Sequence, residues 1–331
     1  MALLRKINAR AKTDINTGFS TNTDAYGGRL INKNGRPNVE KRGLGPLERI
    51  SWYHTMLEIS NTKFLLLVII FYITVNLIFA LIYYSIGVEH LAGILANSSA
   101  EKFIEAYFFS AQTLTTVGYG RISPVGFLTS TVAAIEALVG LLSLALATSL
   151  FYGRFSKPKA YLRFSEKAVL APFKESVAIM MRVAPFKNNN LIDAEAKLTA
   201  GLTLEENGKT VNRFYPLEME YSKVNALTLS WTLVHPVTED SPFYRFTRED
   251  FANTRGEIIV FLKAFDDMFS NTVVARTSYT LGEIIIGAKF IPMFHLDNDN
   301  NKTVLDLEKI GLFTDAEIKL PAEKDNAVTA G

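Results

Sequence analysis

The chain has no cysteine, which excludes a disulfide framework and any thiolate metal site. Histidine is nearly as scarce. His54, His90, His235 and His295 stand far apart, without H-E-x-x-H or any other metal-ligand spacing. Charge of one sign is missing too. Thirty-five Lys and Arg against 33 Asp and Glu leave a formal +2, too little for a nucleic-acid-binding surface. The first sixty residues hold no apolar stretch of the kind a signal peptide needs. No phosphate loop and no nucleophile–base pairing is visible, so the residues point away from an enzyme. What is abundant is apolar side chain: 48% of residues, with a mean hydropathy of +0.14.

That material is concentrated in two runs. FLLLVIIFYITVNLIFALIYY (64–84) carries no charge and is long enough to cross the ~30 Å hydrocarbon layer as a helix. VGFLTSTVAAIEALVGLLSLALATSLFYGRF (125–155) exceeds that thickness at ~1.5 Å per residue and is expected to tilt or project. Lys and Arg are frequent before the first run and after residue 153, whereas 87–124 holds only Lys102 and Arg121. This asymmetry places both termini in the cytoplasm. Ahead of the first run, 46–61 sets Leu47, Ile50, Tyr53 and Leu57 on one helical face. With Trp52 and Tyr53 it suits a helix lying in the interface, a soluble amphipathic helix being the plainer reading. Residues 1–45 read as a flexible cytoplasmic N-terminus.

Between the runs, SSAEKFIEAYFFSAQTLT (98–115) is too short and too mixed to span. It reads as a half-length helix that enters and leaves on one side, followed by Thr116, Val117, Gly118, Tyr119 and Gly120. Irregular backbone at membrane depth is tolerated only when buried in protein or lining a watery cavity. Stacked carbonyls of such a loop can replace a cation's water if successive peptides aim the same way. That needs dihedrals which glycine adopts without a Cβ clash. The C-terminal end of the preceding helix favours a cation nearby, and Tyr119 is expected to brace the loop against Phe108 and Phe109.

After about residue 160 the period changes to two. Ile192, Ala194, Ala196, Leu198, Ala200, Leu202 and Leu204 are apolar and alternate with mostly polar residues, as on a half-buried strand. Asn207-Gly208 offers a type I′ hairpin turn. Further strands are expected in SVAIMMRVAP, NALTLSWTLVH, GEIIVFLKAF, TVVARTSYT and AKFIPMF, a short helix at Thr247, and a disordered tail over 316–331. Together these predict a membrane α-helical two-span pore domain (62–156) with a re-entrant pore helix and filter (100–120). An all-β immunoglobulin-like sandwich (157–315) follows it in the cytoplasm.

TVGYG is identical to the filter loop of potassium channels. FSAQTLTTVGYG, IEALVGLLSLALATSLFYGRFSKPKA and the β-rich tail together resemble the inward-rectifier potassium channel family, its prokaryotic members in particular. ISWYHTMLEISNTKF resembles the family's interfacial helix, and VVARTSYTLGEIIIGAKFIPMF its late strands. The resemblance covers roughly 45–300. It implies a homotetramer with three further identical subunits and K⁺ held at the carbonyls of Thr116, Val117, Gly118 and Tyr119. No cofactor is implied beyond K⁺ as permeant ion, and a bacterial inner (plasma) membrane location is.

Position by position, the resemblance makes Gly140 the inner-helix hinge, with close packing as the alternative. Leu144, Thr148 and Tyr152 recur at four-residue spacing, and Leu144 and Tyr152 match inner-helix constrictions or, alternatively, helix-packing positions. Leu144 stands where strong rectifiers carry an acidic or polar residue, which implies only weak Mg²⁺ or polyamine block. Glu136 is either a cavity charge near the filter or a structural acceptor behind it. Gln112 replaces the family's pore-helix acid, and Arg121 is displaced by one from the usual basic partner. Arg49, Lys63, Arg154, Lys157, Lys159 and Arg163 are candidates for anionic phospholipid or phosphoinositide, with ordinary topology as the alternative. Met268 and Phe269 in the 266–274 loop match a second constriction or, equally, a surface hairpin. A channel gated by a soluble ligand of the β domain, and a non-conducting receptor or scaffold, remain open on residues alone.

Overall fold

The structure, a computed structural model, describes residues 7, 10–13, 29–43, 45, 51–206, 209–297 and 301–323. It divides into a helical unit, 42–157, and a β unit formed by 1–41 with 158–331.

The helical unit contains α1 (Trp52–Glu58), α2 (Asn61–Ile86), α3 (Ser99–Leu114) and α4 (Phe127–Phe155). Among the described residues, α2 and α4 are the two helices long and apolar enough to cross a membrane. Side chains exposed along them are mostly apolar, among them Leu66, Ile70, Leu138 and Leu142, as lipid or neighbouring helices require. α1 is shorter than the 46–61 expectation, and Leu47, Arg49 and Ile50 lie outside the described residues. α3 starts on a capping box: Ser98 Oγ accepts from Glu101 N–H, and the Glu101 carboxylate accepts from Ser98 N–H. The S-x-x-E spacing announces that start. Around α3 a small core of Tyr83, Leu91, Ala106, Phe109, Ile122 and Ala133 closes, with the Tyr83 and Phe109 rings edge-to-face at 5.0 Å. The two-residue strands β1 (Leu91–Ala92) and β2 (Ser123–Pro124) pair across the segments flanking α3 and the loop.

The β unit holds β3 (Leu162–Phe164), β4 (Ala168–Phe173), β5 (Ser176–Pro185), β6 (Leu191–Glu206), β7 (Lys209–Leu217), β8 (Lys223–Ala226), β9 (Trp231–Pro236), β10 (Gly256–Asp266), β11 (Asn271–Thr280), β12 (Ile284–Ile286), β13 (Ala288–Phe290), β14 (Phe294–Asp297), β15 (Lys302–Leu305) and β16 (Phe313–Asp315). One sheet runs β11-β10-β6-β7 with β8 on β6; a second runs β12-β4-β5-β3 with β9 on β5. Their facing sides share one core, including Leu170, Ile179, Leu198, Leu202, Leu233, Val260 and Leu262. This is the predicted sandwich. A helix α5 (Arg248–Asn253) is capped by a Thr247–Asp250 box, as the TRED run suggested.

β6 keeps the predicted alternation with one flaw. Ala194 through Leu204 are buried at even positions, but at the strand's start Leu191 is buried and Ile192 only partly. Asp193 has φ 47, and the pairing with β10 slips between Lys263 and Phe265. This β-bulge reverses which residue faces inward. Asn207 and Gly208 lie outside the described residues. NALTLSWTLVH breaks into β8 and β9, and AKFIPMF breaks after Phe290, beside Pro292, which has no N–H for a ladder.

Two segments expected to be unstructured are packed. Leu30 and Ile31 bury against Phe214 and Ile259 on the sheet face opposite the main core. There Leu30 N–H donates to Glu257 Oε1 at 2.7 Å and Thr277 Oγ1 to Lys33 O at 3.2 Å. Gly35 needs to be glycine: its φ is +79, and a Cβ would stand 2.6 Å from Arg276 O. Similarly, Leu320 is buried in the main core and Ile318 packs against it. The flexible N-terminus and disordered tail are therefore corrected for 29–38 and 316–323, while 324–331 lie outside the described residues.

His235 offers a stability prediction. It is buried with Nδ1 2.6 Å from Glu218 O and Nε2 2.8 Å from Ser241 Oγ. Burial pushes its pKa down from 6.5 to about 4. Above pH 6.5 both folded and unfolded chains are neutral there, and stability is fully present. As pH falls toward 4 only the unfolded chain takes the proton, so stability is lost, by about 3 kcal/mol at pH 4. Thermal unfolding from pH 7 to 4 should show this slope, and His235→Gln should flatten it by that amount. An unchanged slope in the variant would contradict the assignment.

Candidate pore and filter

α3 ends at Leu114, and the chain turns immediately into the loop. Thr116 N–H donates to Thr113 O at 3.0 Å; Val117 N–H and Gly118 N–H both donate to Gln112 O, at 2.9 and 3.3 Å. Thr116, Gly118 and Gly120 have φ of 58, 52 and 81, whereas Val117 and Tyr119 between them are not left-handed. This alternation of hand lets successive carbonyls face one side of the loop. The sequence called for it at the two glycines; Thr116 is the addition. A β-branched residue at positive φ is a real outlier, and strain of this kind concentrates at functional sites. Nothing lies within 4 Å of a Cβ built on Gly118 or Gly120, so backbone conformation alone demands glycine there.

Tyr119 does not brace against Phe108 or Phe109. Phe109 is engaged by Tyr83, while Tyr119 is 80% exposed in the single chain and has no ring partner among the described residues. Arg121, by contrast, does find its acid. It hydrogen-bonds through Nη1 to Glu105 Oε1 at 3.1 Å and holds a charge contact from Nη2 to Oε2 at 3.1 Å. Glu105 lies two helical turns before Gln112 on α3, so the partner of Arg121 beside the loop comes from a different rung.

Glu136 is corrected as a cavity charge. It is 0% exposed, enclosed within the single chain. Tyr83 Oη donates to its Oε2 at 2.6 Å, and Ser110 Oγ is hydrogen-bonded to its Oε1. Ser110 Oγ also lies 3.1 Å from Asn76 Oδ1, and Asn76 Nδ2 donates to Tyr72 O at 2.7 Å, which fixes the amide's orientation. One serine hydrogen cannot serve two acceptors. A proton on Glu136 closes the chain from Glu136 through Ser110 to Asn76. The group ties α2, α3 and α4 together behind the loop.

Gly140 lets α4 approach the end of α3, since a Cβ there would meet Leu114 O at 1.9 Å. Close packing accounts for this glycine, and α4 continues through it unbroken. Leu144 lines a pocket of about 220 Å³ with Thr115, Thr116, Val68, Phe71 and Ser143, putting this stretch of α4 beside the inner end of the loop. Leu144 and Tyr152 are 64% and 74% exposed in the single chain, and Thr148 Oγ1 donates to Leu144 O at 2.8 Å.

The basic residues separate into two kinds. Arg154 is spent internally: its guanidinium donates to Met56 O, to Ile59 O at 2.7 Å and to Asn61 Oδ1 at 2.7 Å, and lies 4.6 Å from the Phe64 ring centre. It pins the α1–α2 junction to the end of α4, a role with no signal in the sequence. Lys63, Lys157, Lys159 and Arg163 are exposed, although Arg163 also lies 5.9 Å from the Phe186 ring. Arg49 lies outside the described residues. Met268 and Phe269 sit at the turn of the β10–β11 hairpin, where Asp266 Oδ1 accepts from both of their N–H groups at 3.0 and 3.3 Å.

Two apolar spanning helices, a half-length helix with its loop and a β sandwich together define a membrane ion channel. Comparison with known proteins gives the same class. A family model described as "Ion channel" matches residues 66–157, and one described as "Inward rectifier potassium channel C-terminal domain" matches residues 162–327. The inward rectifier potassium channel Kirbac3.1 of Paramagnetospirillum magnetotacticum is 34% identical over 85% of this chain and 94% of its own length. The inward rectifier potassium channel irk-1 of Caenorhabditis elegans is 25% identical over 85% of this chain and 56% of its own. An ATP-sensitive inward rectifier potassium channel 12 of Gallus gallus is 26% identical over 83% and 69%. The chain belongs to the inward rectifier potassium channel family; it is a membrane ion channel and not an enzyme.

Proposed function

We propose that the chain forms a homotetramer conducting K⁺ passively and selectively through one filter built from four copies of Thr116–Gly120. The carrying observation is the alternating hand of Thr116, Gly118 and Gly120. One chain supplies one such loop, and closed cyclic symmetry is the simplest way to ring an ion with several. Both termini lie in the cytoplasm, and the membrane is a bacterial inner membrane, a reading supported by the Lys and Arg distribution and by the bacterial relative. Leu144 and Tyr152 narrow the inner path as apolar rings, and Met268 and Phe269 form a second narrowing in the β domain. Liposome uptake of ⁸⁶Rb⁺ that Ba²⁺ blocks tests the reading, and no uptake in any lipid would refute it.

Anionic lipid acts at Lys157 and Lys159, with Lys63 at the start of α2 as a further exposed basic residue. Lys157→Gln with Lys159→Gln should shift the dependence of flux on anionic lipid content while leaving melting unchanged. Arg154→Ala should do the reverse, costing about 2 kcal/mol of stability through lost charge-assisted hydrogen bonds. Arg154→Lys should not rescue it, because an ammonium cannot reproduce the planar fork. A neutral Lys pair, or an Arg154 variant of normal stability, would contradict this division.

At Leu144 an apolar ring gives Mg²⁺ and polyamines nothing to bind. Spermine should therefore block weakly, and Leu144→Asp should gain at least tenfold in spermine sensitivity in voltage-clamped bilayers. Steep micromolar block of the unmodified channel would count against a pore-lining Leu144.

A further inference from the structure

A cavity of about 490 Å³ opens in the β unit where the N-terminal segment docks on the first sheet, a size typical of small-ligand sites. Leu30, Phe214 and Leu281 supply apolar wall, and Thr254, Arg255 and Glu257 supply the polar part. Glu257 is 3% exposed. Its Oε1 accepts Leu30 N–H at 2.7 Å; the Ser278 hydroxyl and Ile31 N–H also approach the carboxylate, but Oε2 makes no hydrogen bond of normal geometry. Thr254 is 8% exposed, and its Oγ1 has no partner either. Buried polar atoms are paired in the great majority of cases, and leaving one unpaired is costly. Two unpaired on one cavity wall point to a missing ligand. Arg255 is exposed at the same wall, with no side-chain partner among the described residues, whereas Arg29 is already paired to Glu283.

We propose that this cavity binds a small zwitterion, most simply a free α-amino acid. Its ammonium donates to Glu257 Oε2 and Thr254 Oγ1, and its carboxylate meets the Arg255 guanidinium. A plain anion would face the buried Glu257 carboxylate, and a plain amine would leave the guanidinium unmatched, so both charges are needed on one molecule. Because Glu257 also holds Leu30 N–H, occupancy tightens the docking of 29–38 on the sheet.

The test is isothermal titration of the purified full-length protein with glycine, alanine, leucine, glutamate and lysine, and with propionate and propylamine as single-charge controls. At least one amino acid is expected to bind at one per chain, at least tenfold more tightly than either control. Arg255→Ala and Glu257→Gln should each weaken it tenfold or more. Arg255→Ala, at an exposed position, keeps the test valid should Glu257→Gln misfold. No binding at 10 mM, equal binding of the controls, or indifference to Arg255→Ala overturns the proposal. Binding and ion flux are separate readouts: a chain that conducts but binds nothing loses only this site, and one that binds but does not conduct loses only the tetrameric filter.

Discussion

Replacing Gly118 with alanine should reduce K⁺ uptake into liposomes by at least 100-fold while the purified protein keeps its oligomeric size. Gly118 has φ 52, and nothing stands within 4 Å of the Cβ that alanine would add. The penalty is therefore conformational. A left-handed non-glycine residue costs about 1–2 kcal/mol. In the proposed tetramer four copies must be correct at once, so the sum is about 4–8 kcal/mol, or roughly three to six decades in the population of intact filters. Gly120→Ala, at φ 81, should behave alike. Wild-type flux and selectivity in Gly118→Ala would mean that the alternating backbone is not the conducting structure.

Glu136→Ala should be the most damaging change away from the loop. It strands the buried Tyr83 hydroxyl and leaves the buried Ser110 with one fewer partner. Each buried unsatisfied group costs about 1–3 kcal/mol, and the cavity left behind adds to that. A total of about 3–5 kcal/mol per chain should show as a much lower melting temperature in detergent and as poor recovery of the oligomer. Glu136→Gln should be mild, since an amide offers both a hydrogen to Ser110 and an oxygen to Tyr83. A charge acting on permeating ions would behave differently: Glu136→Gln would then lower flux with stability intact. The pair of variants separates the two roles in one experiment.

The elements legible from sequence are those whose pattern is carried by neighbours along the chain. The two spans, the half-length α3, the short helix beginning at Thr247 and the alternation in β6 are all of this kind, and each helix or strand appears within a few residues of its expectation. What escaped depends on residues far apart. Leu30 and Leu320 look like polar-segment strays until a sheet and a core are available to bury them. Arg154 reads as one more positive-inside residue, yet its donors are satisfied by carbonyls about a hundred positions earlier. The Asp193 bulge sets one extra residue of β6 against β10 and so reverses a face, which the alternation along β6 does not announce. At the 116–120 loop the resemblance is plain in five letters, and only the backbone reveals that Thr116 shares the left-handed conformation with the two glycines. Glu136 stands out because an ionisable group inside a span is rare, but composition cannot say whether such a group faces ions or holds helices together; its two partners, Tyr83 and Ser110, decide that.

The most direct test of the central claim is cation uptake into proteoliposomes under matched K⁺ and Na⁺ gradients, with Ba²⁺ added as blocker and the oligomeric state measured on the same preparation. A tetramer that takes up K⁺ at least a hundred times faster than Na⁺, and stops when Ba²⁺ is added, is the expected result. Equal passage of the two ions, or conduction by a preparation of single chains, would contradict a filter made by four loops.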